Sequence, residues 1–541
     1  MSPADAQPDP LTRRMLLGRG LGASATLAGS LLGAGTADAA RRRARQRHHR
    51  PRADGLPSPA QVRRDFTRMV EFGPRLTGSP SHEDYIGWLE HEYVRAGLEL
   101  HAPDSYRTDR WTAGQAALAV AGAAAPVAAY YPRAQGTPGA GVAGPLVYGG
   151  TAPVPSLNGT DLGALQAALK RYPAELASWT MGLSGTLQGG TSGSILLVDL
   201  PMPVPLLADA FLPIATYLSW PGHSLADWVT SDYKRLWVLP GLALPLQPFA
   251  ELGARGVVFV VDASSAALKG GYLPFLASPQ PLPALYVDRD TGARLRAQAA
   301  ARPQARLTLP QSRATVPTRT VTAVLPGRSA ETLIFNTHSD GQGFAEENAG
   351  VAFVQLARHF ASLPAWRRPR RTLVFATWPG HMTYDLPQTQ GWIDAHPDLV
   401  KRAAAALTVE HLGCTEWLDT PDRGYHATGR PEMYGVWTTQ GTMFELVRDA
   451  TARHALPRTA LLRPPAQFGV GAAFQSSGVP QIGAIAGPEY LVTVSDNGDL
   501  DKLDEHLAAR QIAWVADVAT RVDAVPAATL RQGDPTLPPK S

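Results

Sequence analysis

ETLIFNTHSDGQGFAEENAGVAFVQLARHFASL, Glu331 to Leu363, decides the fold. ETLIFNT is a short, almost unbroken apolar run and reads as a buried strand. AGVAFVQLARHFASL is amphipathic at helical spacing, with Val351, Val354, Leu356 and Phe360 available to its inner side. The same alternation continues outward. RTLVFAT reads as a second buried strand, QTQGWIDAHPDLVKRAAA as helix, AALTVEHLG as a third strand and QIGAIAGP as another. Strands alternating with helices predict an α/β fold, a mostly parallel sheet with helices on both faces.

Chemistry-bearing residues gather at the strand ends. His338 follows the first strand, Gly380 and His381 follow the second, and Glu410 closes the third. Open parallel sheets bind ligands outside the carboxyl ends of their strands. His338 and Asp340, two apart, share a face of an extended chain, so Asp340 is either the acid that orients the imidazole or a ligand itself. Glu346 and Glu347 precede a helix, where its dipole favours a carboxylate even without a metal. Glu410 follows a buried run and needs a partner, a metal or a histidine. His411 beside it reads equally as a satisfied core histidine.

At 541 residues the chain is too long for one ordinary core and suggests two domains. Charged residues at 18% and hydrophobic ones at 44% fit a globular protein. Residues 1–39 read as a twin-arginine signal. Arg13 and Arg14 precede a weakly apolar run broken by Gly and Ser, and Ala37-Asp38-Ala39 offers a cleavage site. No other apolar run is long enough to span a bilayer, so the expectation is an exported protein, secreted or held in the cell envelope, with no membrane span in the mature chain.

A basic linker, 40–57, comes next; residues 41–54 carry seven Arg and one Asp. Residues 1–39 carry three of each sign and the whole chain is +4, which leaves −2 for the remainder. The basic character belongs to the tail, and nothing argues for nucleic acid. The single cysteine, Cys414, excludes an internal disulfide and a cysteine-based zinc motif.

Residues 58–114 begin as helix, turn-rich GPRLTGSP, and helix. Residues 115–315 shift to short apolar runs such as SILLVDL and GVVFVVDA between Pro/Gly-rich stretches, a β-rich insertion. Its apolar, aromatic middle near 205–240 reads as a lid or surface flap. Residues 316–530 form the main α/β domain and 531–541 a tail.

Several of these pieces, in order, resemble the M28 family of zinc aminopeptidases. They are GPRLTGSP, HSD, EENAGVAFVQLAR, RRTLVFAT, LTVEHLG, and GVPQIGAI followed by YLVTVSDNGDLDKLD. GARGVVFVVDA and PLPALYVDRDTG resemble a protease-associated (PA) domain inserted in such peptidases. The resemblance implies an aminopeptidase-like fold and a zinc-dependent hydrolase of peptides. Residue by residue, His338 matches the family's first histidine ligand and Asp340 its orienting acid. Glu346 falls on the bridging acid and Glu410 on the remaining acid of the same zinc.

The other half departs. The family's Glu-Glu pair, a base and a ligand, should fall within ATWPGHM, which has no acid, and its last histidine falls near Val492. His381 is the nearby replacement, as ligand, as base, or as a loop cap. The expectation is therefore one zinc on His338, Glu346 and Glu410, a second ion left open, and His381 and Asp340 as the catalytic pair. The substrate expected is a peptide, or a small amide or ester. Two rivals stand. One is a non-catalytic binding protein on a peptidase scaffold. The other is a serine hydrolase on GHSLA (222–226), which lacks the preceding strand that such an elbow needs. WPGH occurs at 220–223 and again at 378–381, by chance or because His223 reaches His381.

Overall fold

Two Ser-Pro pairs start the first two helices. Ser58 caps α1 (Pro59–Val70) by accepting from the Gln61 amide, and Ser79 caps α2 (Pro80–Arg95) by accepting from His82. Proline at the first helical position leaves no amide unsatisfied there. α1 buries Val62, Phe66, Met69 and Val70, and Gly97, at φ 86°, turns the chain out of α2. The computed structural model describes residues 55–153, 171–172, 174–183, 192–202, 211–224, 226–229, 233–237, 244–273, 275–464 and 469–539. The twin-arginine segment and the arginine-rich run through residue 54 lie outside the described residues, as does part of the aromatic stretch near 205–240.

After β1 (Glu99–Leu100) a ribbon of β2 (Ser105–Ala113) and β12 (Gln311–Arg319) carries the chain out to a second lobe and back. That lobe holds β3 (Ala117–Val120), β4 (Ala123–Ala125), β5 (Ala129–Tyr130), β6 (Val142–Thr151), β7 (Ile195–Leu200), β9 (Gly256–Val261), β10 (Ala284–Val287) and β11 (Gln304–Thr308). They form one sheet, ordered β4-β3-β11-β6-β7-β9-β10-β5. Four neighbouring strands, β6, β7, β9 and β10, run parallel. β9 is apolar throughout because both of its faces are buried.

The main sheet has nine strands among the described residues, ordered β1-β13-β15-β14-β16-β21-β19-β20-β8. In chain order they include β8 (Ala215–Ser219), β13 (Val321–Leu325), β14 (Ser329–His338), β15 (Arg371–Trp378) and β16 (Ala403–Val409). β19 (Tyr434–Thr438), β20 (Thr459–Leu462) and β21 (Gln481–Ala486) complete it. The four central strands, β15, β14, β16 and β21, are parallel, as the strand–helix alternation predicts. β13 and β1 at one side, and the β21–β19 and β20–β8 pairings at the other, are antiparallel.

Helices cover both faces. Leu333, Phe335 and Phe375 pack in one cluster with α1, α2, α4 (Ala349–Ser362) and α7 (Glu505–Asp523). Ile334, Val374 and Trp378 point the other way, to Trp392 and Ile393 of α5 (Gln388–Ala395).

The aromatic stretch forms no lid where it is described. Ala215–Ser219 is the outermost strand of the main sheet, and Phe211, Trp228 and Tyr233 pack on Trp437, Ala460 and Leu462. This also separates the two WPGH copies. β8 lies six strands from β15, on the order of 29 Å at the usual strand spacing, so His223 does not reach His381. His223 instead stacks on Trp220 beside it.

Candidate metal centre

Three neighbouring parallel strands end side by side, and each delivers polar groups at its carboxyl end. His338 is the last residue of β14, His381 follows β15 by three residues, and Glu410 and His411 directly follow β16. Glu346 and Glu347 arrive on the loop that enters α4. Glu347 tethers that entry, its Oε1 accepting from the Ala349 amide at 2.5 Å. Asn348 then joins the two loops. Its side chain donates to the Leu412 carbonyl at 2.8 Å and accepts from the Leu412 amide at 2.9 Å. His411 has a left-handed φ of 57°, a conformation seldom taken by residues other than glycine and enriched at functional sites.

The tautomers of two histidines follow from their partners. His338 Nδ1 lies 2.8 Å from the Asp340 carbonyl and His411 Nδ1 lies 2.5 Å from that of Ala486. A carbonyl only accepts, so both Nδ1 atoms carry a proton, and in the neutral rings both Nε2 atoms present a lone pair. Those lone pairs face carboxylates, which also only accept. His338 Nε2 stands 3.5 Å from Glu347 Oε2, 3.6 Å from Glu410 Oε2 and 3.9 Å from Glu346 Oε1. His411 Nε2 stands 3.5 Å from Glu346 Oε2 and 3.7 Å from Glu347 Oε2. His381 Nε2 is 3.4 Å from Glu346 Oε1.

Six buried atoms there have no hydrogen-bond partner: His338 Nε2, both Glu346 oxygens, Glu347 Oε2, Glu410 Oε2 and His411 Nε2. An inward-facing set of acceptors with no donor among them is costly unless a cation or added protons satisfy it. His338, Glu347, Glu410 and His411 together fit a single ion, as do His338, Glu346 and His381. Two imidazoles and two carboxylates suit zinc or another first-row divalent ion.

Without an ion, the electrostatics favour added protons instead. Burial pushes Glu346 up to about 8, reinforced by Glu410 and Asp340, and pushes Glu347 well above the carboxylate range, reinforced by Glu410 and Glu346. Burial opposes charge on His338 too, but the surrounding Asp340, Glu410, Glu347 and Glu346 hold it well above an ordinary histidine. Glu410 stays below its usual value despite burial, because His338, His411 and His381 face it. Burial brings His381 down to about 3 and His411 to about 4, so both rings are neutral and able to ligate.

Asp340 occupies a different position from the cluster. One carboxylate oxygen accepts from the Thr77 hydroxyl and from the Gly380 and Met382 amides at 3.1 and 2.9 Å; the other accepts from the His381 amide at 3.3 Å. It fastens the loop that carries His381, and its backbone carbonyl orients His338. Beneath, Arg75 is fully buried and donates to the carbonyls of Gly343 and Glu346 at 2.8 and 2.6 Å. Both Thr77 and Arg75 belong to GPRLTGSP, which therefore braces the metal-facing loop. Gly341 passes so close that a Cβ on it would meet the Glu346 carbonyl at 1.9 Å.

His381, the one partly open member, has a side chain 19% exposed. Its ring lies, tilted, between those of His338, 4.2 Å away, and Phe275 of the second lobe, 5.2 Å away. Val492 is buried, and its carbonyl accepts from the Tyr272 amide of that lobe at 2.8 Å.

Of the residues anticipated from sequence, His338, Glu346, Glu410 and His381 thus converge, and Asp340 supports them. Glu347 and His411 join them at ligand distance, although helix entry and core packing account for such residues equally well in a sequence. A carboxylate directly before Asn348 and a histidine directly after Glu410 were the available signals.

No protein-family model and no curated protein matches the chain. Solved structures do. A peptidase M28 precursor from Shewanella amazonensis aligns at TM-score 0.57 and 14% identity, over 86% of this chain and 96% of that one. A zinc aminopeptidase from Bacillus subtilis aligns at 0.55 and 13%, over 86% and 95%. An aminopeptidase from an Aneurinibacillus strain aligns at 0.50 and 16%, again over 86% and 95%. At these identities the likeness shows a common fold, that of the zinc aminopeptidases.

Proposed function

We propose that this chain is a metal-dependent hydrolase that cleaves a peptide or small amide or ester bond at one divalent ion, zinc by analogy with the Bacillus structure. The six partnerless acceptor atoms carry the reading, since a single cation satisfies most of them at once. His338, Glu347, Glu410 and His411 would hold the ion. When bound, such an ion polarises a carbonyl and acidifies water. Glu346 touches all three imidazoles, and with His381 it joins the buried cluster to solvent. That pair is the candidate proton carrier, His381 standing where the sequence lacks the family's acid pair. Asp340 and the Thr77 hydroxyl keep the His381 loop in place. The N-terminal 39 residues support export through the twin-arginine route, and N-terminal sequencing of the exported protein should begin just after Ala39.

One observation favours a second reading. Four protein groups already surround one position, and a four-ligand shell is the usual form of a structural zinc site, whereas catalytic sites keep a position open. In that case the protein is a metal-stabilised binding scaffold. Plasma mass spectrometry on purified protein, with a hydrolysis screen of amides and esters, separates the two. The hydrolase reading expects about one ion per chain, lost in His338→Ala. It also expects Glu346→Gln to retain the ion and lose turnover. Retained metal with no hydrolysis of any substrate favours the scaffold; absence of metal in chelator-free protein removes both.

A further inference from the structure

We propose that the face opposite the metal centre is a docking surface for an anionic lipid bilayer. This surface lies where α4 ends and β15 begins. Leu363 closes the helix, a 3-10 turn (Ala365–Arg367) follows, and Pro364 to Arg368 are all exposed. At the apex Trp366 is 76% exposed, the most exposed large hydrophobic side chain among the described residues. Its ring carries the Arg367 guanidinium 5.8 Å from its centroid. Arg368 donates to the Leu363 and Ala361 carbonyls at the end of α4, which fixes the turn. Arg370 shares Glu331 with the buried Arg371, while no carboxylate pairs with Arg367 or Arg368 among the described residues.

The second observation is where the chain enters. Gly55 lies against the same end of α4; a Cβ on it would stand 3.0 Å from both His359 Nδ1 and Ser362 Oγ. The seven arginines of residues 41–54 therefore connect to the body within a few residues of Trp366. A protruding indole beside Arg367 and Arg368, with an arginine-rich stretch preceding Gly55 in the sequence, matches the chemistry of an anionic membrane surface. Each arginine gains from the negative surface potential, and indole favours the headgroup region. A nucleic acid fits less well, because this apex offers one aromatic side chain and the remainder of the chain is net negative. Orientation follows. β15 has eight residues, so its start lies roughly 26 Å from the strand ends that bear the metal ligands, and a docked molecule faces its site away from the bilayer. The inference is independent of whether the site hydrolyses anything.

The test is cosedimentation of the signal-free chain, 40–541, with vesicles of phosphatidylcholine alone or with phosphatidylglycerol. Binding should require the anionic lipid and should fall with added salt. Trp366→Ala and Arg367→Glu alter exposed side chains, so folding is retained; each should weaken binding about five-fold or more. Equal binding by these variants, with loss only when the 41–54 arginines become glutamine, would show that the tail alone adheres and would overturn the docking surface. No binding to anionic vesicles, or tighter binding to DNA that ignores Trp366, would overturn it as well.

Discussion

His411 shows how much can turn on one backbone angle. At φ 57° the chain reverses directly after Glu410, and Nε2 comes to face Glu346 and Glu347 while Nδ1 is held by Ala486. His411→Ala should therefore lower metal affinity by at least about ten-fold in a chelator competition, and a wild-type value would exclude it as a ligand. His82 makes a separate prediction. It is fully buried, accepts from the Gly78 amide through Nδ1 and meets Ser339 through Nε2 at 2.8 Å. Burial brings its pKa from 6.5 to about 4. The folded state thus binds fewer protons than the unfolded state between those values. The contribution of His82 to stability is complete above pH 6.5 and is lost as the pH falls through 4. His82→Asn should flatten that acid limb by on the order of 3 kcal/mol in denaturant titrations run across the window.

At the level of elements, the site depends on two loops held in register. Asn348 at the head of α4 exchanges two hydrogen bonds with Leu412, just past β16. Without them Glu347 and Glu410 would no longer share a fixed separation. Asn348→Ala, which removes no candidate ligand, should weaken metal retention about ten-fold while the fold persists by circular dichroism; unchanged retention would show that the loops hold each other by packing alone.

The elements were also the legible part. The apolar runs at 331–337, 371–377 and 403–409, with His338, His381 and Glu410 within four residues past their ends, are enough to place those three residues together. Three things were not visible. Glu346 and Glu347 are adjacent, and only the geometry of the loop tells which oxygens face His338. Arg75 acts through backbone carbonyls far away in sequence, and no motif records that. Ala215–Ser219 has too little alternation to announce an edge strand, because Trp437, Leu462 and their neighbours supply its packing.

On the scale of the whole molecule, the stretch around Arg235, an excursion from the second lobe, is sewn into the first. Arg235, fully buried, donates to Glu432 at 3.0 Å and to Glu416 at 3.2 Å, and Arg458 also bonds Glu416. Glu489 accepts from the Leu236 amide at 2.8 Å. Removing one partner from a buried charge network leaves the others uncompensated and costs about 3–5 kcal/mol. Arg235→Ala should therefore shift one calorimetric transition for both lobes to lower temperature. Two resolved transitions would mean that the lobes melt separately.

The strand order also governs how the chain is made. Ala215–Ser219 leaves the ribosome long before Thr459–Leu462, its partner in the main sheet, has been translated. β1 likewise waits for β13, and the central ladder closes only when β21 arrives. Until synthesis nears its end the nascent chain carries open strand edges and apolar surface, the features that recruit chaperones and seed aggregates. Rare-codon pauses placed between residues 219 and 459 should thus lower the soluble yield; an unchanged yield would show that the open edges do not limit folding.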